Sequence, residues 1–301
     1  MRKALRGAME FALVTSGLPA LGRRRRRGDT LVLAYHNVVP DGTAPFGDRS
    51  LHLPIARFRR QLEALRETHD VVSLGQLDAP SASGRPRAAI TFDDAYAGAL
   101  RLGVPAVLEH GFPATIFVAP GLLGRDAMWW DLLADPARGL DPAVRDHALE
   151  TLRGEHEAIM SWARERGLPQ SIPPAEARIG TLEELRAVAP RPGIAIGLHT
   201  WSHPNLARLD HAEARAEFER TRDWLATNVH APEPWLAYPY GRYADGTLAA
   251  ARDAGLTRAF RVEGGWLRAG PASPLTTPRL NVPAGLSDHG FVLRLAGVMA
   301  A

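Results

Sequence analysis

Short apolar segments alternate with amphipathic segments along most of the chain after residue 28. The apolar segments are six to eleven residues long, rich in Val, Ile, Phe and Tyr, and therefore typical of strands. The predicted strands are residues 30–38, 69–74, 87–94, 113–120, 193–203, 234–241 and 257–262. The segments between them repeat apolar residues at helical spacing, and the predicted helices are residues 54–69, 97–111, 211–229 and 247–253.

Strands that alternate with helices predict a mainly parallel sheet covered by helices. A length of 301 residues allows two average domains, but it also suits a single α/β barrel. About seven strand–helix units favour a closed or nearly closed barrel. Residues 121–180 break the alternation with a polar, helical stretch, which we interpret as an inserted lobe. The predicted organisation is an N-terminal segment, 1–28, followed by one barrel domain, 29–301.

Composition narrows the function classes only slightly. The apolar fraction of 46% and charged fraction of 23% are ordinary for a globular protein with a large core. The chain has no cysteine, which excludes disulfides, thiolate metal ligands and a cysteine nucleophile. The net charge of +3 is mild, and the run Arg23–Arg27 accounts for it.

The N-terminal segment is basic and moderately apolar, like a weak signal peptide, but Glu10 interrupts its apolar part. On a helix, four apolar residues share one face: Leu5, Met9, Leu13 and Leu18. With Arg23–Arg27 this pattern suits contact with an anionic membrane, while a solvated basic tail is an equal alternative. Nucleic acid is the less favoured partner because no interleaved aromatic residues follow. We expect a cytoplasmic location, membrane-associated through this segment, and leave secretion or a periplasmic location open.

Two adjacent aspartates, Asp93 and Asp94, end the predicted strand 87–94. Asp is common in turns and helix caps, which is the alternative interpretation. However, His36, His199 and His203 also lie at the ends of predicted strands. Functional residues of β/α barrels lie at the C-terminal ends of the strands. The sequence therefore favours one shared site.

His199 and His203 are four residues apart, so one helical turn would direct both imidazoles to the same side. Two imidazoles and one carboxylate form a recurring catalytic zinc set with positions left for water and substrate. One aspartate can then ligate the cation while the other acts as a base. Chance helix spacing, and a turn before Pro204, remain the alternatives.

The stretches TFDDAY and HTWSHPNL resemble the motifs of NodB-type polysaccharide deacetylases, carbohydrate esterase family 4. The resemblance runs from about residue 31 to residue 283. It implies an α/β fold, a distorted (β/α) barrel of about seven strands with an inserted helical lobe. It also implies that Asp93 is the catalytic base, and that Asp94, His199 and His203 hold a metal ion.

The chain departs from the commonest form of that family at Ala237, where the family usually has arginine. The early Tyr-His pair and the sequence AYPYG look more like the branch of poly-N-acetylglucosamine deacetylases. In that branch the early histidine replaces the usual general acid, so His36 is the candidate acid; a core histidine is the alternative. Arg279 is a candidate to replace the missing arginine beside Asp93, and a surface salt bridge is its alternative.

The resemblance implies a metal-dependent hydrolase that removes N-acetyl groups from amino sugars in a polysaccharide, oligosaccharide or glycolipid. An inactive carbohydrate-binding protein of the same fold is the alternative. Zn²⁺ is the expected ion, with Co²⁺, Ni²⁺ or Mn²⁺ also compatible with the ligands. The peptide N–H of Tyr240, after Pro239, is the implied oxyanion donor. The aromatic side chains expected either to stack on the sugar or to pack the barrel mouth are Trp201, Tyr238 and Tyr240, and those expected to place the lobe over the cleft are Trp129 and Trp130.

Overall fold

Seven parallel strands close into a barrel, and six of them form where the sequence predicts strands; the seventh, Thr277–Asn281, was not predicted as a strand. The computed structural model describes residues 2–79, 81, 83–268 and 273–299. Its strands are β1 (Thr30–Tyr35), β2 (Asn37–Val39), β3 (His52–Pro54), β4 (Asp70–Val71), β5 (Arg87–Phe92), β6 (Ala114–Val118), β7 (Ile194–Leu198), β8 (Trp235–Ala237), β9 (Arg258–Gly264), β10 (Trp266–Leu267) and β11 (Thr277–Asn281).

The barrel follows the order β1, β5, β6, β7, β8, β9, β11 and closes where β11 pairs with β1. The pairing of β1 with β5 sets Thr30 opposite Arg87 and Tyr35 opposite Phe92. Every residue of β1 and β5 is buried, as expected for parallel strands covered by helices on one face and by the barrel interior on the other. The predicted β/α barrel of seven strands is confirmed.

Helices surround the barrel. They are α1 (Arg2–Thr15), α2 (Leu18–Arg25), α3 (Ile55–Thr68), α4 (Val104–Glu109), α5 (Trp129–Leu132), α6 (Pro142–Glu150), α7 (His156–Glu165), α8 (Leu182–Val188), α9 (His211–Asn228), α10 (Asp245–Asp253) and α11 (Asp288–Leu295). Helix α3 buries Phe58, Leu62 and Leu65, the apolar stripe that its spacing predicts. Helices α5 to α7 form the lobe between β6 and β7, and α1 packs against α11.

Three local predictions are wrong. The strand predicted over 30–38 breaks at His36, because β2 leaves the barrel and pairs with β3. The strand predicted over 69–74 has only the two residues of β4, at the edge beside β5. The helix predicted over 97–111 begins with a π-helical turn, Ala99–Gly103. Pro105 has no N–H to give to the carbonyl four residues earlier, so the regular α-helical ladder cannot run through this segment.

Candidate active site

The charged residues at the strand ends meet in one cavity at the C-terminal end of the barrel. Asp93 and Asp94 follow β5, His199 follows β7 and His36 follows β1. The cavity has a volume of about 140 Å³ and is open to the surface. Its lining is His36, Asp48, Ser50, Leu51, Asp93, Asp94, Trp130, Arg145, His199, His203, Tyr238, Tyr240, Gly241, Val262 and Asn281.

Asp94, His199 and His203 converge on one point. Oδ1 of Asp94 lies 3.4 Å from Nε2 of His199 and 3.2 Å from Nε2 of His203. The two Nε2 atoms are 3.2 Å apart. All three side chains are buried. This is the compact oxygen–nitrogen–nitrogen set that a divalent cation takes from two histidines and a carboxylate.

Left-handed backbone conformations, and not a helical turn, bring these residues together. The strand predicted over 193–203 ends at Leu198, and no helical turn follows it: the segment from His199 to His203 is an irregular loop in which Thr200 has φ 64° and His203 has φ 59°. The backbone N–H of His203 donates to Oγ1 of Thr200 over 3.0 Å, which stabilises the loop. Asp94 also has a positive φ, 67°. Such conformations are rare for residues other than glycine and cluster at functional sites.

The protonation of His199 is set by its neighbour. Nδ1 of His199 lies 2.8 Å from the carbonyl oxygen of Ala237, which can only accept a hydrogen bond. In the neutral imidazole Nδ1 therefore carries the hydrogen, and the lone pair of Nε2 faces His203 and Asp94. Oδ1 of Asp94 is buried and accepts no hydrogen bond. This donor set, with the second nitrogen of His199 held by a carbonyl, fits a divalent cation.

Electrostatics favour an ionised Asp94. Burial alone raises its pKa, but the neighbouring His203 and His199 outweigh burial and hold the pKa well below its usual value. Burial alone lowers the pKa of His199, yet the neighbouring carboxylates of Asp94 and Asp93 outweigh burial and raise it. Burial lowers the pKa of His203. The site therefore holds a carboxylate against imidazole nitrogens within the protein interior.

Asp93 and Arg279 form a bidentate ion pair. Nη1 of Arg279 donates to Oδ1 of Asp93, and Nη2 donates to Oδ2, each over 2.7 Å. Nη1 also donates to Oγ1 of Thr91, and Nε donates to the carbonyl of Arg261. Burial raises the pKa of Asp93, but the charge of Arg279, with those of His199 and His36, lowers it below its usual value. The structure thus brings Arg279 to the base candidate from β11, while Ala237 lies in β8.

Some of the other residues predicted for the site lie in or beside the cavity, and others pack against the rest of the protein. His36, Pro239 and Tyr240 lie in or beside the cavity, and Tyr240 has φ 57°. Tyr238 touches the cavity, but its hydroxyl donates to the carbonyl of Leu275 over 2.7 Å and its ring stacks on Tyr243. Trp201 lies outside the cavity lining and its ring packs under the guanidinium of Arg220, 3.8 Å away. Stacking of Trp201 on a substrate in this cavity is therefore not supported.

The lobe contributes aromatic residues to the site. The ring of Trp130 packs on His203, with centroids 5.2 Å apart, and lines the cavity. Nε1 of Trp129 donates to the hydroxyl of Tyr240 over 3.1 Å, and that hydroxyl donates to the carbonyl of Gly154. The ring of Tyr240 packs on His203, with centroids 4.5 Å apart. The lobe is thereby tied to one side of the metal-ligand set.

Sequence reasoning missed Asp131, which is fully buried under the cavity wall. Oδ2 of Asp131 accepts from the hydroxyl of Tyr96 over 2.9 Å. Its Oδ1 lies 3.0 Å from Nε2 of His52 and accepts from the backbone N–H of Asp48 over 2.9 Å. Asp48, Ser50 and Leu51 line the cavity, so Asp131 ties the lobe to this loop. A charged residue directly after two tryptophans, Trp129 and Trp130, was the signal available in the sequence.

Comparison with known proteins decides the family. The sequence matches the polysaccharide deacetylase family over residues 81–259, which is more than half of the chain. The chain belongs to the polysaccharide deacetylase family. The matched range contains Asp93, Asp94, His199 and His203, so the NodB-type resemblance of their motifs is confirmed. The comparison with curated proteins finds no match to this sequence.

Solved deacetylases share the fold of this family member. The Streptococcus pyogenes deacetylase PplD, determined with acetate, is 18% identical, with a TM-score of 0.62 over 89% of this chain and 98% of its own. IcaB from Ammonifex degensii is 17% identical, with a TM-score of 0.62 over 89% and 97% of the two chains. A de-N-acetylase from Aggregatibacter actinomycetemcomitans is 16% identical, with a TM-score of 0.59 over 86% and 97%. Because the three identities are only 16% to 18%, these comparisons show a shared fold and no more.

Proposed function

We propose that this deacetylase is metal-dependent and removes N-acetyl groups from amino sugars in a polysaccharide, oligosaccharide or glycolipid. The observation that carries the proposal is the convergence of Asp94, His199 and His203 beside the Asp93–Arg279 pair. Asp94, His199 and His203 would hold one divalent cation, most simply Zn²⁺, whose Lewis acidity polarises the acyl oxygen and makes water a better nucleophile. Two imidazoles and one carboxylate also accept Co²⁺, Ni²⁺ or Mn²⁺.

Asp93 acts as the base. Its carboxylate is ionised because Arg279 lowers its pKa, and the two hydrogen bonds of Arg279 fix the carboxylate plane. A carboxylate held in this way can take a proton from the attacking water as its oxygen bonds to the acyl carbon. Arg279 touches Asp93, and its role is to position and ionise the base.

His36 is the general acid of this proposal. It lines the same cavity as Asp93 and lies close enough for its charge to lower the pKa of Asp93. Protonation of the sugar nitrogen by His36 allows the C–N bond to break, so that the products are acetate and a free amine. The peptide N–H of Tyr240 is the donor proposed for the developing oxyanion, which is worth a few kcal/mol in comparable sites.

The cavities favour an extended substrate. The catalytic cavity of about 140 Å³ suits an acetamido group better than a whole sugar. A second depression of about 550 Å³ shares Asp48 and Ser50 with it, and its walls carry Arg49, Arg57 and Arg138. Neighbouring sugars of a chain have room there. The room for neighbouring sugars, and Arg279 in the role of the arginine that is missing at Ala237, support poly-N-acetylglucosamine as the substrate class.

The test is acetate release from N-acetylglucosamine oligomers of increasing length. The protein is stripped with a chelator and reloaded with Zn²⁺, Co²⁺, Ni²⁺ or Mn²⁺. We expect acetate only after reloading, and faster release from longer oligomers. Release that is unchanged in the stripped protein would overturn metal dependence. A reloaded protein that binds the oligomers without releasing acetate would support the carbohydrate-binding alternative.

A further inference from the structure

The two N-terminal helices carry most of the exposed large apolar side chains of the described residues. Six such side chains are exposed, and five of them lie in α1 and α2: Leu5, Met9, Phe11, Leu18 and Leu21. Leu5 is 74% exposed and Phe11 56%. Single exposed apolar residues are normal on a protein surface, but five on two helices that contact each other are typical of an interaction surface.

Helix α1 places its acidic residue toward the protein and large apolar side chains toward solvent, the reverse of a typical surface helix. Its acidic residue, Glu10, is 1% exposed and faces the protein. Glu10 accepts hydrogen bonds from Ser287, the N-cap of α11, and from Arg6 over 2.7 Å. The partial positive charge at the start of α11 favours the carboxylate there. Glu10, which interrupts the apolar run, thus docks the helix and leaves Leu5, Met9 and Phe11 exposed.

Basic residues continue this surface. In the arginine run Arg24, Arg25 and Arg27 are exposed. A groove of about 640 Å³ joins apolar and basic side chains at the end of α2; its lining is Leu18, Leu21, Gly22, Arg25, Arg26, Asp29, Arg268, Gly297 and Val298. Apolar side chains next to arginines match the interfacial layer of a membrane, where acyl chains and anionic headgroups meet.

We propose that the surface formed by Leu5, Met9, Phe11, Leu18, Leu21, Arg24, Arg25 and Arg27, the N-terminal surface, binds the protein peripherally to an anionic bilayer. The apolar side chains enter the boundary between headgroups and acyl chains, and the arginines contact lipid phosphates. The only acidic residue within residues 1–28 is the buried Glu10, so the charge that this segment exposes is positive and complements a negative headgroup layer. No helix among the described residues combines the length and hydropathy needed to cross a bilayer.

The groove at the end of α2 and the catalytic cavity lie at different ends of the barrel, and no residue of the N-terminal surface lines that cavity. Asp29, which lines the groove, precedes β1, whereas His36, which lines the cavity, follows β1. Variants of the surface should therefore leave the catalytic residues in place. Failure of this proposal would leave the proposed deacetylase activity untouched, because acetate release from a soluble oligomer tests that activity separately.

The test is flotation of the full-length protein with vesicles of phosphatidylcholine alone and with one-third phosphatidylglycerol. The apolar variant is Leu5→Ser with Met9→Ser and Phe11→Ser; the charge variant is Arg24→Gln with Arg25→Gln and Arg27→Gln. Two controls match them elsewhere on the surface. Ile172→Ser removes the sixth exposed apolar side chain, and Arg164→Gln with Arg166→Gln and Arg191→Gln removes three exposed arginines.

We expect the wild type and both controls to float with the anionic vesicles and to lose binding as salt is raised. The charge variant should lose on the order of a hundredfold in partition coefficient on anionic vesicles, and the apolar variant at least tenfold. Acetate release from a soluble oligomer should be unchanged in both. A wild type that fails to bind anionic vesicles at low salt, or two variants that bind as it does, would overturn the proposal. Binding to duplex DNA in place of vesicles, abolished only by the charge variant, would also overturn it.

Discussion

Arg279 donates two parallel hydrogen bonds of 2.7 Å to Asp93, and both side chains are almost fully buried. The contact joins β11 to the end of β5 and passes β1, which lies between them in the barrel. A buried carboxylate and a buried guanidinium are each costly to leave alone, so each stabilises the protein mainly by compensating the other.

A double-mutant cycle on this pair measures the coupling. Asp93→Asn and Arg279→Gln should each lower the free energy of unfolding by roughly 3 to 5 kcal/mol, because one buried charge loses its partner. The double variant should cost clearly less than the sum, as measured by urea unfolding. The exposed pair Arg215–Glu219 is the matched control, with an expected coupling of about 0.5 kcal/mol or less. Additive losses at Asp93 and Arg279 would contradict the pairing.

Removal of the Asp131 carboxylate should loosen the cavity wall. Asp131→Ala leaves the Tyr96 hydroxyl, His52 and the N–H of Asp48 without their acceptor. We expect a loss of about 3 kcal/mol in stability and faster hydrogen exchange at Asp48. Tyr96→Phe removes only one of these contacts and should cost about 1 to 2 kcal/mol. Exchange at Asp48 as slow as in the wild type would show that Asp131 does not hold this loop.

The hydroxyl of Tyr240 should contribute to stability, and its peptide N–H to the reaction. The hydroxyl accepts from Trp129 and donates to Gly154, so Tyr240→Phe leaves two polar groups unpaired. We expect the variant to lose about 1 to 3 kcal/mol in stability. Its kcat for acetate release should change only a few-fold, because the proposed donor is the retained peptide N–H. A hundredfold loss of kcat with unchanged stability would instead assign the hydroxyl to the reaction.

His69 makes stability depend on acid pH. Burial, with the nearby charges of Arg23 and Arg85, lowers the pKa of His69 from 6.5 to about 3. Below about pH 6.5 the unfolded chain binds a proton that the folded chain does not, so stability falls as pH falls toward 3. Between pH 7.5 and pH 5 this group should remove about 2 kcal/mol. His69→Gln should unfold with a flatter dependence on pH; an unchanged dependence would show that His69 is not the cause.

The alternation of segments predicted the barrel because each buried parallel strand has its own apolar signature and needs no distant partner to be recognised. The motifs likewise predicted that Asp94, His199 and His203 would be neighbours. The helical turn assumed between the two histidines was wrong, because the positive φ of Thr200 has no sequence signal of the kind that glycine gives.

Residues that depend on tertiary contact were harder to predict. Asp131 meets Tyr96 and His52 only when the lobe has folded onto the barrel, and no spacing in the sequence reports that contact. The outward orientation of α1 depends on where Glu10 meets Ser287, 277 positions away. Arg279 was predictable only through the missing arginine at Ala237. The cytoplasmic location stays a prediction.

The central claim is tested most directly by metal content and acetate release measured on the same samples of wild type, Asp94→Ala and Asp93→Asn. We predict about one divalent ion per wild-type chain, loss of the ion in Asp94→Ala, and an ion retained without turnover in Asp93→Asn. That result would separate the ligand from the base. Full acetate release by Asp93→Asn, or a wild type that binds no divalent ion after loading, would contradict the account.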